Sequence, residues 1–326
     1  MKILLTNNHL DSIGGTQTYT YALAKQLLTL GHDVQYFTLQ KGIISDKLEQ
    51  DLGLKEKNRK SYDLILANHN STIEKVWKLG TVFQTCHGIF PFLEQPSIFS
   101  DFYISISQEV QEHLAKKNLS SVIIPNGIDC DVFYPTTPIN KELRTVLSLC
   151  QSNDANEKIL KACVQLDIKL LTYHDLGGKK WEIYELINKA DLVIGLGRSA
   201  YDAMACGRPV IVYDERPYMD PVGDGYLSHV LTESFSKNCS GRYFGRKFTP
   251  DDLIHELKKY EPKDGERLRS FIKNHLEVSI VTASYLNLFE NFQQKKNKRK
   301  YHLLQKIRFM TKYSKPFFSI IQRTTL

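Results

Sequence analysis

Residues 190–213 read ADLVIGLGRSAYDAMACGRPVIVY. The apolar run at 192–194 has the character of a buried strand. Gly195 and Gly197 follow it and let the backbone turn sharply against a ligand. Ser199 is placed to cap a short helix over 200–206, Gly207 to end it, and a second strand follows Pro209. A glycine loop feeding a helix N-terminus turns backbone N–H groups and the positive end of a dipole toward one point, which suits a phosphate. Arg198 stands in that loop between Gly197 and Ser199, where a guanidinium adds a bidentate phosphate contact.

The same alternation extends along the chain. A strand over 2–6 leads through a polar loop containing Gly14 and Gly15 into a helix, where Tyr19, Ala22, Leu23, Leu27 and Leu30 recur at helical spacing. Gly31 ends that helix, and a strand over 34–39 follows. Further strands are expected at 63–67, 82–86, 102–106 and 122–124, with Ser107 capping a helix that runs to about 117. After a polar stretch holding Pro135 and Pro138 a second series begins, with strands at 146–149 and 168–171 and helices at 155–166 and 181–189. A helix at 251–259 and one or two more within 266–292 complete it. Two such sets predict an α/β protein of two Rossmann-like halves, with ligands between them outside the carboxyl ends of the strands.

Composition fits that architecture. At 326 residues the chain is long enough for two ordinary domains, and 42% hydrophobic with 24% charged residues is a globular balance. No apolar run reaches the roughly 20 residues of a membrane span, and 1–8 is too short in apolar residues for a signal core. The six cysteines form no Cys-x-x-Cys pair, so reduced, buried thiols are expected and no zinc site. The net charge of +7 belongs to residues 293–326, which hold ten Lys or Arg and no acid. The body before them is net −3, which argues against a nucleic-acid surface. The tail mixes its cations with Phe309, Phe317, Ile320 and other apolar groups, a pattern expected to bind an anionic membrane.

The segment Asp202-Ala203-Met204-Ala205-Cys206-Gly207-Arg208-Pro209-Val210 is similar to the signature Glu-x7-Glu-Ala-Met-Ala-x-Gly-x-Pro-Val of nucleotide-sugar glycosyltransferases with the GT-B fold, specifically the retaining family four. Asp202 stands for the second Glu, and Ile194 occupies the place of the first. The stretches 105–107 and 122–129, closing on Phe133 and Pro135, resemble the domain junction of that family, and Gly14-Gly15 resembles its first loop. Together the matches cover about 1–292 in a compact form.

The resemblance implies an acceptor-side domain at 1–138, a donor-binding domain at 139–265, helices at 266–292 packing back toward the first domain, and a tail at 293–326. It implies retaining, metal-independent transfer of a sugar from a nucleoside diphosphate to an acceptor hydroxyl, with no separate cofactor. Gly14, Gly15, Gly197, Arg198 and Ser199 would face the donor, Asp202 its ribose, and His87 the reacting sugar. Gln151 stands where the family carries an Arg, Lys158 lies about two positions from its usual Lys, and His174 is a further candidate. The acceptor would be a glycan or a lipid-linked molecule, and the setting cytoplasmic, at the membrane face. A non-catalytic scaffold of the same fold and a sugar-nucleotide epimerase remain alternatives.

Overall fold

The computed structural model describes residues 1–172, 181–216 and 222–294. His174 and the cationic stretch from Lys295 onward lie outside the described residues. Seven strands form the first sheet: β1 Lys2–His9, β2 Asp33–Gln40, β3 Lys55–Glu56, β4 Leu64–Ala67, β5 Thr81–Cys86, β6 Phe102–Ser105 and β7 Ser121–Ile123. Their order is β3-β2-β1-β4-β5-β6-β7, and every pair is parallel. β1 is buried from Ile3 to Thr6 on both faces, which is why it reads as a continuous apolar run rather than an alternation.

The second sheet contains β8 Thr145–Ser148, β9 Lys169–Thr172, β10 Leu192–Gly195, β11 Val210–Asp214 and β12 Val222–Tyr226, in the order β12-β11-β10-β8-β9. β8 to β11 are parallel, and β12 runs antiparallel along the edge of β11. β12 was not expected, because its sequence VGDGY carries turn residues. Both glycines are needed for packing. A Cβ on Gly223 would lie 2.5 Å from the Phe248 ring, and Gly225 has φ of 89°.

The helix Gly15–Thr29 buries Tyr19, Leu23 and Leu27 against the first sheet, as its spacing predicts. Ser107 caps Gln108–Lys116 by accepting from the Val110 N–H. The expected helix at 181–189 is reduced to Ile183–Ile187, because Trp181 leaves it to pack edge-on to Tyr21 of the first half.

The chain crosses between the halves twice, side by side. Ile128 N–H donates to Leu276 O at 2.7 Å, and Val278 N–H to Ile128 O at 2.9 Å. A Cβ on Gly127 would meet the Val278 backbone at 2.9 Å, so the crossing requires glycine. Ile128, Cys130 and Phe133 already belong to the core of the second half, so the passage precedes the polar stretch at Pro135 and Pro138. Of the two C-terminal helices, Lys263–His275 packs on the second half through Leu268 and Ile272. Val278–Gln294 returns to the first through Val281, Tyr285 and Phe289. All six cysteines are free and buried. Among the described residues no helix is long and apolar enough to cross a membrane.

Candidate active site in the interdomain cleft

The carboxyl ends of β1 and β5 in one sheet and of β10 and β11 in the other border one cavity of about 330 Å³. Gly15, Thr16, His87 and Glu94 line it from the first half, and Gln151, Gly197, Arg198, Ser199, Arg216 and Arg242 from the second. The two glycine loops meet there: a Cβ on Gly15 would stand 3.5 Å from Arg198 Cβ. Gly14 is the N-cap residue of the helix behind Gly15 and makes no side-chain cap.

The helix of the deciding segment runs Arg198–Ala205, so Gly197 rather than Ser199 is its N-cap. Gly197 has φ 54° and ψ −119°, a conformation that side-chain-bearing residues rarely adopt. This shift changes which donors face the cavity. Gly197 N–H is committed to Cys239 O at 2.9 Å and Ser199 N–H to Leu196 O at 3.2 Å. Both had been expected to face a phosphate. Gly207 closes the helix as predicted, with φ of 68° and its N–H on Met204 O, while Arg208 N–H reaches Ala203 O.

Arg198 is held from three sides. Its Nε donates to Asp202 Oδ1 at 2.7 Å, its Nη1 to Gly127 O at 3.2 Å, and its guanidinium lies 5.8 Å over the Phe133 ring. Asp202 is buried one turn behind it and does not line the cavity. Burial pushes the Asp202 carboxyl up, and Arg198 pulls it back. Arg216 Nε is held at 3.0 Å by Asp214 Oδ2, and Arg242 Nε at 2.9 Å by Glu109 Oε1 from the opposite half. Three guanidinium groups therefore share one cavity, which favours a multiply charged anion.

Gln151 lines the cavity, with its N–H toward Asp214 Oδ2 at 3.3 Å. Lys158 does not line it; its Nζ pairs with Glu215 Oε1 at 2.5 Å. The sequence does not mark Arg216 and Arg242 as phosphate ligands. Arg216 has a local signal, since it lies two residues beyond a strand that neighbours the glycine-loop strand. Arg242 was visible only as part of a basic loop.

His87 lines the cavity at the end of β5, and both its nitrogens are engaged. Nε2 meets Asn68 Oδ1 at 2.9 Å and Nδ1 meets Asn126 Nδ2 at 3.2 Å. The amide nitrogen of Asn126 can only donate, so Nδ1 accepts and Nε2 carries the proton. Burial holds the imidazole neutral, with its pKa pushed down to about 3. The structure thus places His87 in the cavity wall as a neutral imidazole, with Asn68 and Asn126 on its two ring nitrogens. Among the described residues, two polar atoms of the wall, Asn126 Oδ1 and Ser240 Oγ, are buried without a hydrogen-bond partner. Such orphan atoms in a cavity wall are the groups a polar ligand satisfies.

No protein-family model matches the chain, and no curated protein matches its sequence. Solved structures do. Anabaena HepE in complex with UDP and glucose superposes with a TM-score of 0.61 at 15% identity, covering 89% of this chain and 99% of that one. The catalytic domain of starch synthase IV from Arabidopsis thaliana, bound to ADP and acarbose, gives 0.52 at 10% identity, covering 89% and 98%. Acinetobacter baumannii MurG gives 0.51 at 10%, covering 89% and 99%. With these likenesses covering 89% of the chain, its seven-stranded and five-stranded sheets are built on the GT-B fold.

Proposed function

We propose that the chain is a glycosyltransferase that moves a sugar from a nucleoside diphosphate to an acceptor hydroxyl. One observation carries this reading: Arg198, Arg216 and Arg242 converge on a cavity between two glycine loops at the carboxyl ends of two sheets. A departing nucleoside diphosphate concentrates negative charge, and preorganised guanidinium groups in a partly closed site stabilise it as it forms. We assign that charge stabilisation to the arginines rather than to a divalent ion. The likeness of 202–210 to the family-four signature supports retention of configuration at the anomeric carbon. The solved complexes of HepE with UDP and of starch synthase IV with ADP make those two nucleotides the first to test.

The donor domain is the second half, and the acceptor enters against the first. The tail, rich in cations and apolar groups, supports a peripheral seat on an anionic membrane and so a lipid-linked or glycan acceptor. A binding protein of the same fold is the second reading. It is favoured by Gln151 standing in the cavity wall where the resembled family carries an arginine.

A thermal-shift screen tests the donor reading. UDP, ADP, GDP and their sugars are each added at increasing concentration. Ligand present at 100 times its Kd stabilises the fold by about 2.7 kcal/mol. A shift with one diphosphate and none with its nucleoside supports the arginine-lined site. The absence of any shift across the panel contradicts it.

A further inference from the structure

The loop after β5 carries a feature that the donor reading does not use. Residues 88–94 read GIFPFLE, and the short turn Phe92–Glu94 brings Glu94 back over Gly88. A Cβ on Gly88 would stand 2.4 Å from Glu94 Oε2, so the carboxylate fills the space that this glycine leaves. Glu94 and Phe90 both line the cleft cavity from the acceptor side, facing the arginines across it.

Among the described residues Glu94 makes no ion pair, and no donor meets its carboxylate oxygens at hydrogen-bond distance. Its neighbours explain why. The Cys86 thiol is kept protonated, its pKa pushed up to about 12 by burial. His87 is neutral and spent on Asn68 and Asn126. His113 and Lys117 both turn to Gln95 Oε1, at 2.8 and 2.6 Å. Arg242, across the cleft, is engaged by Glu109. Burial alone raises the Glu94 carboxyl to about 7. Beside it Phe90 is 55% exposed, with Arg242 lying 5.5 Å over its ring, and Phe92 is 81% exposed.

We propose that Glu94 and Phe90 form the subsite for a neutral sugar unit of the acceptor, the carboxylate accepting from its hydroxyls and the aromatic ring receiving its C–H face. The unpaired Glu94 carboxylate sets which occupant fits beside it. An anionic unit would meet an uncompensated carboxylate, and a purely apolar one would strip water from that carboxylate without replacing its hydrogen bonds. A polyhydroxylated ring supplies both the donors and an apolar face, and a hydrogen bond to an ionised acceptor is about twice as strong as a neutral one. The inference rests on the glycosyltransferase reading for its biological meaning, but the subsite itself can be measured without turnover.

The test is saturation-transfer NMR on the full chain, with and without UDP. The probes are methyl glycosides of glucose, galactose, mannose and N-acetylglucosamine, and methyl glucuronide. At least one neutral glycoside is expected to bind, and methyl glucuronide to bind at least fivefold more weakly at pH 8. Binding of the neutral probe should tighten as pH rises through about 7 in the parent chain, with the carboxylate form as acceptor. It should be flat with pH in Glu94→Gln. Glu94→Gln and Phe90→Ala should each weaken it fivefold or more. Equal binding by Glu94→Gln and the parent, a preference for the glucuronide, or no binding of any neutral glycoside overturns the proposal. Loss of UDP binding with glycoside binding intact overturns the donor reading instead and leaves the subsite standing.

Discussion

Arg198 and Asp202 form an ion pair across one helical turn, Nε to Oδ1 at 2.7 Å, with both side chains largely buried. The pair serves two ends. It aims a guanidinium at the cavity, and it compensates a carboxylate that burial alone would drive toward its protonated form.

Arg198→Ala should therefore have two separable effects. Diphosphate affinity should fall by about 1.5–3 kcal/mol through loss of a charge-assisted contact. Stability should fall by as much as about 3–5 kcal/mol, because Asp202 is left buried without its partner. The double variant Arg198→Ala, Asp202→Asn should regain much of the stability and none of the affinity. Calorimetry with UDP and chemical denaturation on the three variants check this; affinity regained by the double variant would remove Arg198 from the donor site.

The pairing also shows what was readable in the chain. Arg198 and Asp202 are four residues apart, a spacing that pairs side chains on a helix. In the sequence, however, Ser199 is the more favoured cap residue, which places Arg198 in the loop, free to meet phosphate. Glycine at the cap position was the less obvious choice, and only its backbone angles reveal it. The strand-loop-helix frame, by contrast, was legible from the apolar runs and from Gly195, Gly197 and Gly207. β12 was hidden because glycines demanded by close packing look locally like turn residues. The setting of His87 was hidden for another reason. Its partners Asn68 and Asn126 are 19 and 39 residues away and reach it only through the order of the strands. The Arg242–Glu109 contact spans 133 residues and leaves no local trace.

Gly197→Ala should destabilise the fold by about 1–3 kcal/mol, since alanine is strained at φ 54° and ψ −119°. It should also weaken donor binding, because relief of the strain moves Arg198. Denaturation and UDP titration measure the two effects; a variant as stable as the parent would mean that the loop adopts another conformation.

His87 and His69 make the fold sensitive to acid. Burial lowers them to about 3 and about 4, below the ordinary value of 6.5. The unfolded chain thus binds protons that the folded chain refuses, and stability falls as pH drops from about 6.5 toward 4. His87→Asn should flatten this slope in urea titrations between pH 4 and 7. An unchanged slope, or an NMR titration of His87 centred near 6.5, would contradict its buried neutral state.

Deleting residues 293–326 should abolish co-sedimentation with anionic vesicles and leave UDP binding intact, since each cation near an anionic leaflet contributes about 1 kcal/mol. Binding of the full chain should weaken as salt rises. Equal pelleting of the two chains at low salt would rule out the membrane role of the tail.

Sugar transfer itself is tested most directly by incubating the full chain with UDP-glucose and a panel of neutral glycosides, and following nucleotide and sugar together by NMR. The account predicts that UDP is released in step with a new glycosidic signal, and that Arg198→Ala slows both. A nucleotide-sugar that binds in the cleft yet stays intact with every acceptor would contradict the enzyme and leave a binding protein on a GT-B frame.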